Sequence, residues 1–350
     1  LAFVKGHILY GVLNWGLGHA TRSKSLIQAL LQNNFKVTLA SDGAALHWLK
    51  AEFPQLQMLE LPPYAIRYAA HKHQLPSLVA QLPKIARAAY LEKKRVAQWQ
   101  AQYHFTGLIS DNRLGFWHPG LPTVYLSHQL NIPLKNGAAL ARWAHRSYYQ
   151  IFNQVWVPDA PNQALSGKMS KAFGNLQFTG PLSQFSSSTQ GIENSVGPYL
   201  ALLSGPEPQR SILEAKLLEQ MRQWPAQSFT LVRGVHTAKP IAPANVQVHN
   251  TLGTQALQEL IQAAPLVISR SGYSSLMDYA VLGKKALLIP TPGQAEQEYL
   301  AQRHKSAFEV ATQAKLNLVR QCSIALQKPG LNLQKQKIST LFSLFKGERK

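Results

Sequence analysis

Short apolar runs alternate with segments of helical periodicity along the chain, the pattern of repeated strand–helix units and a parallel sheet. In the first half the runs fall at 7–13, 35–41, 57–61, 106–110, 123–127, 154–158 and 176–180. A helix is predicted over about 19–33, with Leu26, Ile27 and Leu30 on its apolar face, and a longer basic helix over 76–102. Residues 183–198 are rich in Ser and Gly and have no apolar periodicity, as in a linker. The alternation restarts at 199–204 and continues through 228–233, 246–249, 265–269, 285–290 and 308–310. The chain therefore reads as α/β, with two Rossmann-like doubly wound domains at 1–182 and 199–330. Ligands are expected beyond the carboxyl ends of the strands. Residues 331–350 read as a closing helix that packs back toward the first domain.

Composition narrows the class. Of 350 residues, 45% are hydrophobic and 15% charged, which argues against disorder. The single cysteine, Cys322, excludes an intrachain disulfide and fits a reducing compartment. Lys5 and His7 interrupt the signal-like opening, and a glycine loop follows it, so it reads as a first buried strand. No stretch approaches the roughly 18–20 apolar residues of a membrane span. A cytoplasmic protein is expected, in solution or peripheral on the inner face of a membrane. The formal charge of +20 suits nucleic acid, an anionic membrane or an acidic small molecule. No nucleic-acid-binding motif accompanies it. Residues 64–95 interleave Tyr64, Arg67, Tyr68, Lys72, Lys84, Arg87, Tyr90 and Lys93–Arg95 against one acid, Glu92. That mixture suits an anionic membrane surface, or simply a solvated basic helix.

The densest chemistry lies in PLVISRSGYSSLMDYAVLGKKALLIP, residues 265–290. A strand is followed by the turn Arg270–Ser271–Gly272, then by a helix opening at Gly272, Ser274 and Ser275. Backbone N–H groups and the positive end of the helix dipole converge there, which suits a phosphate. Asp278, one turn beyond Ser274, could accept hydrogen bonds from the hydroxyls of an attached ribose. The next loop, TPGQAEQEYLAQ, offers Gln294, Glu296, Gln297 and Glu298 to sugar hydroxyls. Helix capping by serines, with Asp278 at the surface, is the plainer alternative.

The runs SRSGYSSLMD and LLIPTPGQAEQEYLA resemble the C-terminal donor-binding domain of glycosyltransferase family 28. The resemblance implies the GT-B architecture, two doubly wound domains facing across a cleft. It also implies transfer from a nucleoside-diphosphate sugar, by precedent a UDP-sugar, used as a co-substrate with no further cofactor. Carried over, Ser271, Gly272 and Ser274 would face the diphosphate. Asp278 would hold the ribose where the family has Glu, and Gln297, preceded by Glu296, would contact the sugar. The family's Asn–Ala reads Ala301–Gln302 here, which leaves the sugar open.

WGLGHATR, residues 15–22, lacks the third glycine of a dinucleotide fingerprint. Its G-x-G-H-x-x-R form, with Gly16, Gly18 and Arg22, resembles the family's N-terminal glycine loop beside the reacting sugar. His19 could there deprotonate an acceptor hydroxyl, since a helix start disfavours imidazolium. SDNRLG and SHQLN end two strands, so Asp111, Arg113, His128 and Gln129 are acceptor-side candidates, with Asp111 the rival base. Ser204 and Gly205 resemble the family's phosphate loop, and Arg210 could neutralise diphosphate.

No D-x-D occurs, so no metal site is expected, and no E-x7-E marks the donor loop, which favours inversion. The acceptor is a hydroxyl, lipid-linked or on a polysaccharide precursor by the family's precedent. The alternatives are a nucleotide-sugar epimerase on the same fold, for which only Asp111 and Glu296 offer acids, and a non-catalytic nucleotide-sugar-binding protein.

Overall fold

The structure is a computed structural model and describes residues 4–66, 80–131, 147–171, 174–186, 197–235 and 237–345. The chain divides into two compact units. One holds the described residues up to 184 together with 335–345, and the other those from 185 to 334. Arg67, Tyr68 and Lys72 of the basic segment, and positions 187–196 of the linker stretch, lie outside the described residues.

The first unit carries β1 (Gly6–Val12), α1 (Gly18–Gln32), β2 (Phe35–Ser41), α2 (Gly43–Glu52) and β3 (Gln57–Glu60). These are followed by α3 (Leu82–Tyr103), β4 (Gly107–Asp111), β5 (Thr123–Leu126), β6 (Gln154–Val157) and β7 (Leu176–Phe178). All seven strands are parallel, in the order β3-β2-β1-β4-β5-β6-β7. Strand order reverses between β1 and β4, and the register there sets Val12 opposite Asp111. The central strands are buried on both faces, as near-continuous apolar runs such as HILYGV require.

The second unit comprises β8 (Tyr199–Leu202), α4 (Gln209–Arg222), β9 (Phe229–Val232), β10 (Val246–His249) and α5 (Thr254–Ala263). It continues through β11 (Val267–Ser269), α6 (Tyr273–Leu282), β12 (Ala286–Leu288), α7 (Ala295–Arg303), β13 (Glu309–Val310) and α8 (Leu318–Gln327). Its parallel sheet runs β10-β9-β8-β11-β12-β13, with the reversal between β8 and β11. Cys322 packs in this core, where burial pushes its thiol up to about 12. Gly283 closes α6 in the left-handed region, φ 62°, which a side chain would strain.

Two elements differ from the sequence expectation. Helix α2 goes unanticipated because GAALHWLKAE is apolar on most of its first positions and shows little amphipathic contrast. The closing segment is a 3-10 helix over Ile338–Phe345, and 331–337 is irregular. It packs within the first unit. Phe342 and Phe345 are each 1% exposed, lie 5.8 and 6.4 Å from the Phe35 ring, and meet Trp156 at about 6 Å. A Cβ on Gly107 would overlap the Phe345 ring, so the bare backbone there is what admits it.

Candidate active site

In the first unit β1 delivers the glycine loop and α1 begins at Gly18, which places His19 in the first helical turn. Gly16 takes φ 76°, and nothing lies within 4 Å of where its Cβ would stand. Arg22 follows His19 by three residues, on the same face of α1. Strand β4 ends on Asp111, and β5 is followed by Ser127, His128 and Gln129. The switch in strand order thus gathers groups separated by about a hundred positions.

Asp111 is fully buried and forms the hub. Its Oδ1 lies 2.8 Å from His19 Nδ1 and also receives Arg22 Nη2. Its Oδ2 accepts from Arg22 Nε at 2.9 Å and from Ser23 Oγ at 3.1 Å. Tyr10 donates to Ser23 Oγ at 3.2 Å, and Arg22 Nη1 reaches His128 Nδ1 at 3.0 Å. Burial alone would raise the Asp111 carboxyl, but the Arg22 guanidinium and then His19 outweigh it and hold the group well below the usual carboxylate range. An acid so strong, with its lone pairs occupied, is a poor proton acceptor. The His19 side chain is 13% exposed. Its Nδ1 lies between Asp111 Oδ1 and Arg22 Nη2, 2.9 Å from the latter.

Arg113 does not belong to this constellation, contrary to its reading as an acceptor-side residue. It is fully buried and binds Glu92 through Nε. Its Nη1 donates to Asp42 Oδ1 at 2.6 Å, and its Nη2 to the Pro62 carbonyl at 3.0 Å. The Tyr64 ring covers it at 5.1 Å. A guanidinium so occupied builds the framework.

In the second unit the switch between β8 and β11 brings together the ends of those strands and β12. Ser204 and Gly205 are exposed after β8, and Gly205, at φ 99°, has nothing within 4 Å of its Cβ position. Helix α6 starts after Gly272, an N-cap residue with no side chain to cap it, and Ser274 and Ser275 there are half-buried. Asp278, in the second turn, is 8% exposed, more enclosed than a solvated surface carboxylate.

Three further candidates have partners within the protein. Ser271 is fully buried and donates to the Gln297 carbonyl at 2.8 Å, which ties this turn to α7. The buried Gln297 accepts from Thr291 N at 2.9 Å through Oε1, which shapes the loop. Arg210 is held by Glu207, Glu214 and Ser211. Glu214 also takes Arg233 Nε at 2.7 Å, so one buried carboxylate serves two guanidinium groups.

Arg270 contrasts with Arg210. Its bonds go to the carbonyl oxygens of Gln209, Ile289 and Pro290, at 2.6, 3.2 and 3.3 Å, and its Nε has no hydrogen-bond partner among the described residues. Burial lowers its guanidinium to about 10. Thr291, which no sequence motif marks, has a buried Oγ1 that, like Oε1 of the half-buried Gln294, has no hydrogen-bond partner among the described residues. Glu296 is also half-buried, and Glu298 Oε1 braces the turn by accepting from Gly293 N at 2.8 Å. Among the described residues no group of three or more His, Cys, Asp or Glu is placed to hold a metal ion.

Residues 214–340 match the glycosyltransferase family 28 C-terminal domain, and residues 6–103 match glycosyl transferase family 1. The UDP-N-acetylglucosamine--N-acetylmuramyl-(pentapeptide) pyrophosphoryl-undecaprenol N-acetylglucosamine transferase of Chelativorans sp. (strain BNC1) is 26% identical over 270 residues, 66% of this chain and 67% of its own. Glycosyltransferase SnogD from Streptomyces nogalater superposes with a TM-score of 0.62 at 16% identity, over 91% of this chain and 90% of that one. MurG of Acinetobacter baumannii does so at 0.55 and 13%, over 97% and 94%. The chain is a GT-B glycosyltransferase.

The glycosyltransferase takes its sugar from a nucleotide-sugar donor. Its α6 turn and the 291–298 loop fall inside the family 28 match, and the glycine loop with His19 and Arg22 inside the family 1 match. Asp111 and His128 lie beyond both matched segments, and hydrogen bonds join them to the matched ones.

Proposed function

We propose that the glycosyltransferase displaces UDP from a donor sugar in one inverting step, with His19 as the base. The supporting observation is the buried Asp111 carboxylate on His19 Nδ1, which directs the ring's lone pair to Nε2. His19 Nε2 takes the proton of an acceptor hydroxyl as its oxygen bonds to the anomeric carbon. The bond from that carbon to the diphosphate breaks, and its electron pair leaves with UDP. Asp111 orients the ring and balances the imidazolium that forms.

The donor diphosphate lies at the N-terminus of α6, against the backbone of Gly272–Ser275, with Ser204 and Gly205 beside it. The helix dipole and Arg270, whose guanidinium bonds only carbonyl oxygens among the described residues, stabilise the leaving charge without a metal. Asp278 holds the ribose, and Thr291, Gln294 and Glu296 are suited to the sugar. Uridine is favoured by the relative's name. A thermal-shift panel of UDP, GDP, dTDP and CMP sugars tests this, and a response to another base alone would refute it. Asp278→Ala should weaken nucleotide binding about 5- to 150-fold, or roughly 1–3 kcal/mol, read by calorimetry on folded protein. Unchanged affinity would remove Asp278 from the site. A 2-epimerase would need Asp111 as an acid, and its burial on Arg22 and His19 favours transfer instead.

The acceptor hydroxyl belongs to a lipid-linked glycan. The relative's name carries an undecaprenol acceptor. Helix α3 also exposes Leu82, Tyr90 and Leu91 among Lys84, Arg87, Lys93, Lys94 and Arg95. Each such cation near an anionic surface contributes about 1 kcal/mol. No helix among the described residues is long and apolar enough to cross a membrane, and the exposed face of α3 is the surface proposed to attach. Co-sedimentation with phosphatidylglycerol vesicles should be strong at low salt and weaken as salt screens the charge. Absence of binding at low salt would refute this.

A further inference from the structure

Glu214, on α4, stands between two stretches of chain that leave neighbouring strands of the second unit. Its Oε2 receives Arg210 Nη1, and its Oε1 receives Arg233 Nε at 2.7 Å. All three side chains are buried, each 5% exposed. Two guanidinium groups on one carboxylate leave a positive charge, which Glu207 balances by accepting from Arg210 Nε at 2.6 Å.

Each arginine governs one stretch. Arg210 and Glu207 brace the turn after β8, where Arg210 N donates to the Pro206 carbonyl at 3.2 Å and Ser211 N to Glu207 Oε2 at 3.2 Å. Arg233, after β9, donates through Nη1 to the carbonyls of Thr237 and Ala238, at 3.1 and 2.8 Å, and to Asn250 Oδ1 at 2.9 Å. Asn250, after β10, donates to the Thr237 carbonyl at 2.8 Å, and its own carbonyl accepts from Gly234 N at 2.8 Å. Gly234 in turn meets the root of the β8 turn: a Cβ there would lie 2.9 Å from the Leu203 carbonyl oxygen. Between these anchors Ser204 and Gly205 are exposed, with open space where a Cβ on Gly205 would stand. A tip with so little packed against it takes its shape from its anchors.

We propose that Glu214 is a positioning residue for the donor. By holding Arg210 and Arg233 at once it locks the turn after β8 to the loops after β9 and β10, and so presets the Ser204–Gly205 backbone for a diphosphate. This rests on the reading that places Ser204 and Gly205 beside the diphosphate. Backbone that is already ordered pays less on binding, so the contribution belongs to affinity. The carboxylate is suited to the task because both its oxygens accept, whereas a glutamine would aim an N–H at one of the two guanidinium groups.

The test uses the full chain and the nucleoside diphosphate selected by the thermal-shift panel, UDP on the present reading. In folded Glu214→Gln, calorimetry should show affinity lower by about 5- to 30-fold, with a matching rise in donor KM and little change in kcat. Amide hydrogen exchange should quicken in peptides covering 204–211 and 237–250 together. Asn250→Ala, at the far end of the chain of contacts, should also quicken exchange at 204–211, which a purely local packing role would not do. Gly205→Ala probes the loop reading by itself, because a side chain at φ 99° is strained, and it should weaken binding. Weaker binding in Gly205→Ala with unchanged affinity in Glu214→Gln would overturn the proposal and leave the loop reading standing. Unchanged affinity in both would refute the loop reading, and the proposal with it. Lost affinity in Glu214→Gln without faster exchange at 204–211 would also overturn the positioning role. If Glu214→Gln does not fold, Asn250→Ala decides: faster exchange at 204–211 with weaker nucleotide binding upholds the proposal, and the absence of either overturns it.

Discussion

His19→Ala is expected to slow sugar transfer by about 10²- to 10⁴-fold in single-turnover assays, the usual contribution of a positioned general base. Nucleotide affinity should not change, because His19 is not among the groups proposed to hold the nucleotide. Asp111→Asn should fall in the same range for a different reason. The carboxamide keeps the shape but presents a donor as well as an acceptor, so it no longer fixes the His19 tautomer, and it leaves the buried Arg22 without a counter-charge. Folding of Asp111→Asn must therefore be checked by circular dichroism before its rate is read. Full transfer activity in both folded variants would dismiss the assignment of the base.

The second large effect is on stability. Arg113→Ala should destabilise the first unit by about 3–5 kcal/mol, the range for breaking a buried ion pair from one side. Glu92, fully buried, accepts from Arg113 Nε, from Tyr64 and, at 2.9 Å, from Gly115 N. Removing the guanidinium leaves that carboxylate and Asp42 without their shared counter-ion. It also removes the donor to the Pro62 carbonyl, while Val12 O keeps its bond from Ser41 Oγ. Urea titration should register the loss, while transfer per folded molecule stays near wild type. A shift under about 1 kcal/mol, or a loss of turnover at full stability, would instead return Arg113 to the acceptor side.

Arg113 also illustrates what the sequence conceals. Its position at the end of a strand was legible, because apolar runs in a parallel sheet and the loops after them are local patterns. Its partners Glu92 and Asp42 lie 21 and 71 positions away, on a helix and another strand end, and no local pattern links them. Ser271 is similar, since the turn that holds it is readable but the carbonyl it seeks is 26 residues on. His19 and Asp111 were both visible as polar residues after apolar strands and therefore read as rivals. Only the parallel register that sets Val12 beside Asp111 makes them partners. The α2 helix was hidden by its nearly uniform apolar start, and tertiary packing determines its form.

The aromatic segment at 338–345 has a bearing on synthesis. Phe35, Gly107 and Trp156 leave the ribosome early, yet the rings that cover them come from the far side of an entire second unit. The nascent N-terminal half must wait, with an apolar face uncovered, while some 150 further residues are translated, a delay of roughly 8–30 s at 5–20 residues per second. Chaperone demand during translation, and insolubility of a fragment ending near residue 184, follow from this late-arriving seal.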